Sequence, residues 1–440
     1  MAFTKINPQV QGNQTESPNL IDGHVCFFLP LQYLSGERAT ARSTRFDLSL
    51  EDTENENNAD AQKGGDISEE DKMEIGMTYM KVFQTRDFLE NLETEIIKAK
   101  PPNTQNFEDP FVITKQRLIR DLQFCGINSF EDSDSSPSWS EGDDISDLNA
   151  KSVKLCYNNI GIFLDFMAEI FQRDSLDNRG CKVIASVNYE FNYPNAFYSS
   201  ALGQVVFGTG FPMTGWMESD TKPVDDFIGI IGDFVTGIDI VAHELMHAVI
   251  QCTVDQGNGL DYKGEPGALS ESIADVFAIM TQQWYSFKTD PNWKLEDSDW
   301  IIGKTAILPG HPGMGLRSLK EPGKAFEIAT RTKVLKDLQI QHYDEYNDNL
   351  EVHISSGIPN KAFYEAAKEI GGFFWEKAGQ IWYRALIDTG LDKTCLFSNF
   401  ANSTFKEAVK IGKATDDPNL GKKVQRAWRK VGVQYDTWDD

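Results

Sequence analysis

One pentapeptide limits this chain more than any other feature: His243-Glu244-Leu245-Met246-His247, set inside the apolar stretch FVTGIDIVAHELMHAVIQ. Residues i and i+4 stand on one face of an α-helix. The stretch therefore predicts a helix over roughly 234–252 with both imidazoles side by side. Two imidazoles in that relation can grip one Zn2+, and Glu244 stands where it could take a proton from metal-bound water. The chain has only six histidines in 440 residues, so chance assembly of the pattern is improbable. The competing reading is a helix with two ordinary histidines.

Zinc in a hydrolytic site needs three protein ligands and one open position. The third ligand should be a histidine or carboxylate on a neighbouring element. Glu271 lies 24 residues after His247, in the helical pattern GALSESIADVF (267–277). That interval lets the first helix finish, the chain turn through Gly257, Gly259, Gly264 and Gly267, and a second helix pack back. Asp275, four residues after Glu271, shares its face and could orient a ligand histidine through the other ring nitrogen. The alternative for Glu271 is a solvated helix residue; its small, apolar neighbours argue against that.

The rest of the chain sets bounds. Apolar residues at 40% and charged residues at 25% fit a soluble globular protein and exclude collagen-like or wholly disordered classes. The length allows two or three domains. A net charge of −25 repels phosphate backbones, so no nucleic-acid partner is expected. No apolar run reaches the roughly 18 residues of a membrane span. The start, MAFTKINPQVQGNQTESPNL, lacks a signal-peptide pattern, so either the chain stays inside (cytoplasmic), or it leaves by a non-classical route the sequence does not show, or a leader precedes this sequence. A monomer is expected. Six scattered cysteines without a CxxC pair read as reduced, buried thiols.

Texture divides the chain near residue 150. Before it, Val25–Leu34 reads as a strand interrupted by Pro30. Residues 46–72 read as an acidic solvated loop, a helix is expected from Ser68, and 129–148 read as an acidic, serine-rich linker. After it come a helix over Asn159–Phe171, strands at Lys182–Val187 and Gln204–Phe207, and helical patterns near 267–287, 355–370, 372–388, 403–413 and 419–431. The expected fold is α+β with two lobes: an N-terminal extension (1–150), a β-rich lobe ending in the HExxH helix (151–252) and a helical lobe (253–440).

Several blocks, in order, resemble the thermolysin-like zinc metallopeptidases, or gluzincins: NYPNAFYSSALGQVVFG (192–208), VAHELMHAVIQ, GLDYKGEPGALSESIADVF (259–277), GLRSLKEP (315–322), DNLEVHISSGIPNKAFY (348–364) and KKVQRAWRKVGV (422–433). The resemblance covers about residues 155–435, not 1–150. It implies the two-lobed fold with a zinc site in the cleft and a zinc endopeptidase acting on peptides or proteins. It implies zinc ligands His243, His247 and Glu271, and Glu244 as general base. Tyr262 and His353 would donate to the oxyanion, with Asp348 holding His353. Arg317 would bind a substrate carbonyl, Asn195 and Ala196 the peptide backbone, and Asp275 would orient a ligand histidine. Phe234, Ile240, Ile302 and Leu316 match the primed pocket, so a bulky hydrophobic residue after the scissile bond is expected. Family members are mostly secreted and commonly made with prosegments.

The chain also departs from the family. Of five acidic calcium-site positions it keeps Asp239 and Asp299, but carries Gln282, Ile301 and Lys304 at the others. Ca2+ remains conceivable, yet the double-calcium site is expected to be lost or reduced, with Lys304 pairing with Asp239 or Asp299. Ser270 replaces an asparagine behind His247. Two further readings therefore stand beside an active endopeptidase: a zinc-bound, weakly active binding or accessory protein, and a proenzyme inhibited by its N-terminal region.

Overall fold

A computed structural model of the chain describes residues 25–27, 113, 115–124, 136–146, 148–190, 193–210, 232–307, 315–329, 334–388 and 390–434. The acidic loop 46–72 and the helix expected from Ser68 lie outside the described residues.

The first lobe is built on a mixed sheet. Strands β1 (Val25–Phe27), β2 (Arg117–Asp121), β3 (Ser138–Ser140), β4 (Val183–Tyr189), β5 (Ala196–Ser199) and β6 (Gln204–Gly208) lie in the order β1-β5-β6-β4-β2-β3. The β2–β4 and β4–β6 pairs are parallel; the others are antiparallel. The strands expected at 182–187 and 204–207 are β4 and β6. Three strands, β1, β2 and β3, come from before residue 150, and β3 falls inside the acidic run read as a linker. Short strands at a sheet edge can be polar, because only one face meets a core.

Helix α1 (Lys151–Phe171) covers this sheet, with Ile160, Phe163, Phe166 and Met167 fully buried. Its start is fixed to β2 by Arg117. That guanidinium pairs with both oxygens of Glu141 at 2.6 Å and lies 3.6 Å over the Tyr157 ring.

Helix α2 (Ile238–Thr253) carries the HExxH pattern. It is buried without a break from Asp239 to Ile250. A helix apolar on every side belongs in a core rather than on a surface. Helix α3 (Gly264–Thr289) packs against it and is buried from Glu265 to Thr281. Strands β7 (Ile301–Ile302) and β8 (Arg317–Ser318) form a small antiparallel pair beside α3, and β9 (Glu327–Ala329) pairs with β10 (Val334–Lys336).

The helical lobe continues through α4 (Val352–Ser355), α5 (Gly357–Ile370), α6 (Lys377–Leu386), α7 (Phe397–Ala414) and α8 (Leu420–Lys430). Its centre is aromatic. The Trp382 and Trp428 rings stack with centroids 6.2 Å apart, and the Trp428 indole N–H donates to Thr404 at 2.9 Å. Fully burying side chains of this size is worth roughly 2–3 kcal/mol each. The α+β, two-lobed expectation therefore holds, and each helix expected after residue 230 is present, with ends displaced by up to six residues, the largest shift being at the start of α7.

Candidate active site

The α2 histidines meet a carboxylate from α3. His243 Nε2 lies 3.1 Å from His247 Nε2 and 3.3 Å from Glu271 Oε2, while His247 Nε2 lies 3.5 Å from Glu271 Oε1. All three residues are buried. Donors about 2.0–2.1 Å from one tetrahedral zinc are separated by about 3.3–3.4 Å. The measured separations match that figure, and two imidazoles plus a carboxylate are a zinc donor set with one corner left over. Glu244 supports the same fit. It is fully buried, and neither carboxylate oxygen has a hydrogen-bond partner among the described residues. Burial pushes its carboxyl up to about 8.

The ligands are themselves held. Asp275, one helical turn after Glu271, lies 2.9 Å from His243 Nδ1. The Arg317 guanidinium donates to the same carboxylate from Nε at 2.9 Å and from Nη2 at 2.7 Å, and Asn360 donates to it at 2.9 Å. Burial disfavours the Asp275 carboxylate, but Arg317 and His243 outweigh it and hold its pKa below the usual carboxylate range. Burial likewise works against an imidazolium at His243, and the Asp275 and Glu271 carboxylates overcome it, raising its pKa to about 9. His247 lacks such a carboxylate on its outer nitrogen; burial dominates and lowers it to about 3. Ser270 Oγ lies 3.2 Å from His247 Nδ1, so the serine fills the supporting position that an asparagine would otherwise occupy.

Tyr262 and His353 approach from outside α2. The Tyr262 hydroxyl donates to Glu271 Oε1 at 2.5 Å, and His353 Nε2 lies 3.2 Å from Glu271 Oε2. Asp348 does not hold His353. It accepts from the Tyr346 hydroxyl at 3.0 Å, whereas Glu351 meets both the His353 ring at Nδ1 and its backbone N–H. Sequence spacing could not choose between two carboxylates so close to one histidine; the carboxylate capping a short helix, two residues before His353, was the available signal. Asn360 was also missed, since a buried asparagine leaves no periodic trace.

Asn195 and Ala196 are fully buried where β5 begins. The Gly208 N–H donates to the Asn195 carbonyl at 3.0 Å, and a Cβ on Gly208 would fall 2.1 Å from the Tyr193 carbonyl oxygen. Only glycine permits that approach. Phe234, Ile240, Ile302 and Leu316 are each buried in the hydrophobic core. Gly303, at φ 73°, packs under Leu316 and donates its N–H to Asp239 at 2.7 Å. Lys304 pairs with Asp299 at 2.9 Å, one of the two partners expected.

This combination of a β-sheet lobe, a helical lobe and a His-His-Glu centre backed by a buried glutamate defines a zinc metalloendopeptidase. The comparisons place it more narrowly. Residues 103–223 match the thermolysin metallopeptidase catalytic domain, and residues 258–433 match the thermolysin metallopeptidase alpha-helical domain. The chain is 38% identical to protease PrtS of Photorhabdus sp. (strain Az29) over 64% of this chain and 69% of that protein. It is 38% identical to an extracellular metalloprotease of Pectobacterium carotovorum subsp. carotovorum, over 64% of this chain and 73% of that one. Among solved structures, the precursor of protealysin, a metalloproteinase from Serratia proteamaculans, matches with a TM-score of 0.60 and 32% identity, over 75% of this chain and 91% of that chain. The chain belongs to the thermolysin metallopeptidase family.

Proposed function

We propose that His243, His247 and Glu271 hold the catalytic zinc and that Glu244 is the general base for peptide-bond hydrolysis. The observation that carries this is the convergence of the three donors within 3.1–3.5 Å beside the buried Glu244 carboxylate. Zinc held there polarises the scissile carbonyl and brings the pKa of water from about 16 to about 7. Glu244 takes the proton of the attacking water and hands it to the leaving amine. The Tyr262 hydroxyl and His353 Nε2 donate to the oxyanion, each such donor being worth about 100- to 1,000-fold in rate. Asp275 and Ser270 fix the ring orientation of His243 and His247, and Arg317 fixes Asp275. The enzyme is proposed to act as a monomer, on substrates with a bulky hydrophobic residue after the cleaved bond, received against Phe234, Ile240, Ile302 and Leu316. The test is a casein or peptide assay of wild type beside Glu244→Ala, with metal analysis of both. Both should hold about one zinc per chain and only the wild type should cleave; equal cleavage rejects the mechanism.

The double-calcium site is proposed to be replaced. Lys304 supplies a fixed cation to Asp299, and Asp239 is satisfied by the backbone N–H groups of Gly303 and Ile240.

One observation favours the proenzyme reading, with residues before the catalytic lobes acting as a prosegment. Strand β1 pairs antiparallel with β5, placing Val25, Cys26 and Phe27 opposite Ser199, Tyr198 and Phe197. An extended substrate held by Asn195 and Ala196 would need that same edge. The similarity to a protealysin precursor supports this reading. Cleavage between β1 and residue 113 should raise activity on a peptide substrate, and unchanged activity after such cleavage rejects it.

A further inference from the structure

His353 sits at the start of α4 with its side chain 3% exposed, and its Nε2 faces Glu271 Oε2 at 3.2 Å. What orients that ring is a carboxylate the family resemblance does not point to. Glu351 Oε2 accepts from the His353 backbone N–H at 3.0 Å, and Glu351 Oε1 meets His353 Nδ1. The two oxygens thus fix the backbone and the ring of one residue together. Asp348 takes no part in this, because its carboxylate accepts from Tyr346. On the opposite side of the same turn, the His353 carbonyl accepts from Gln339 Nε2 at 3.0 Å and from Ser356 Oγ at 2.9 Å.

We propose that Glu351 is the positioning residue for His353: it accepts the hydrogen bond of the ring's Nδ1–H and aims Nε2, which must carry its own proton to donate, into the zinc site, the task the family resemblance implies for Asp348. The proposal rests on the reading of His353 as an oxyanion donor. The chemistry is that of a carboxylate behind a functional imidazole, which fixes its ring angle. A carboxylate is required because two acceptors are in use. An amide at 351 offers one acceptor oxygen, so it can keep the backbone contact or the ring contact but not both. Glu351→Gln therefore preserves size and the option to cap α4, and removes the simultaneous hold.

The experiment compares wild type, Glu351→Gln, Glu351→Asp, Asp348→Asn, His353→Ala and the Glu351→Gln/His353→Ala double variant on one peptide substrate, with zinc content and thermal unfolding recorded for each. Glu351→Gln should lower kcat about 10- to 100-fold, a typical loss for a carboxylate behind a functional histidine, with KM within about twofold. Zinc content should be unchanged. Glu351→Asp should recover part of the loss, and Asp348→Asn should stay within about twofold of wild type, a margin too small for a lost orienting contact. In the His353→Ala background the Glu351→Gln change should have no further effect, since nothing remains to be aimed. Proton NMR should show a low-field, hydrogen-bonded Nδ1 proton of His353 in wild type and its loss in Glu351→Gln. An impaired His353→Ala with a silent Glu351→Gln, or an Asp348→Asn as damaging as Glu351→Gln, overturns the proposal alone. A fully active His353→Ala overturns the donor reading and this proposal with it. A Glu351→Gln protein that loses zinc or unfolds several degrees earlier while the double variant loses activity additively assigns Glu351 a structural role and also overturns the proposal.

Discussion

Replacing Arg317 by methionine should cost the fold more than it costs chemistry. The side chain is 4% exposed and meets a fully buried Asp275 at 2.7 Å. At such a separation, with an effective dielectric constant near 20, the gross attraction is about 6 kcal/mol. Methionine keeps most of the packing volume but leaves the carboxylate with only Asn360 and His243. Removing one partner of a buried pair typically costs about 3–5 kcal/mol, because the other charge stays desolvated and uncompensated. At about 2 °C per kcal/mol for a domain of this size, the midpoint of thermal unfolding should fall by about 6–10 °C. Calorimetry or circular dichroism at constant zinc checks the single variant. A second variant, Arg317→Met with Asp275→Asn, separates charge from shape. It should regain at least half of the lost stability, because the stranded charge is gone. A single variant melting within about 2 °C of wild type, or a double variant no better than the single, would refute the argument that the pair is held by compensated burial.

Three further outcomes follow from the same geometry. His247→Ala removes one of three donors, so the purified variant should hold less than about a tenth of the wild-type zinc by atomic absorption, and a chelator should abolish wild-type cleavage until zinc is restored. Asp239 is fully buried, and burial raises its pKa to about 6. Its unfolded value is about 3.9, so the folded chain binds the proton more tightly and loses stability as pH rises from about 4 to about 6, with no further loss above that. Asp239→Asn should therefore gain on wild type by about 2–3 kcal/mol between pH 4 and pH 7 in urea titrations, and a constant gap would count against it. Isothermal titration with calcium should show no pair of tight sites, since Lys304 sits on Asp299; two tight sites would contradict the replacement.

The metal centre was legible because two periodicities coincide there. The stretch that places His243 and His247 on one face is otherwise largely apolar, so the motif and the core helix declare each other. Glu271 was legible from distance along the chain and from small neighbours. Other parts were hidden for definite reasons. β3 was missed because the serine- and acid-rich texture around 129–148 is that of a solvated loop, and a three-residue edge strand needs no apolar pattern; β2, RLIRD, is too short to show a clear alternation. The partner of Lys304 was left open between Asp239 and Asp299. The choice falls on Asp299 because Asp239 is desolvated and already accepts backbone N–H groups. The orienting carboxylate of His353 turned on which way two neighbouring side chains point, and chain order carries no such direction.

Helix α2 is enclosed on all sides, and this limits how such a catalyst can be adjusted. Leu245 and Met246, between the two histidines, are part of the protein's interior. A change made on that helix to alter the grip on zinc also disturbs the seam between the lobes. Adjustment that spares the scaffold must come through groups that reach in from elsewhere, such as Tyr262 and His353. The catalytic rate can drift at those positions while the ion stays where it is.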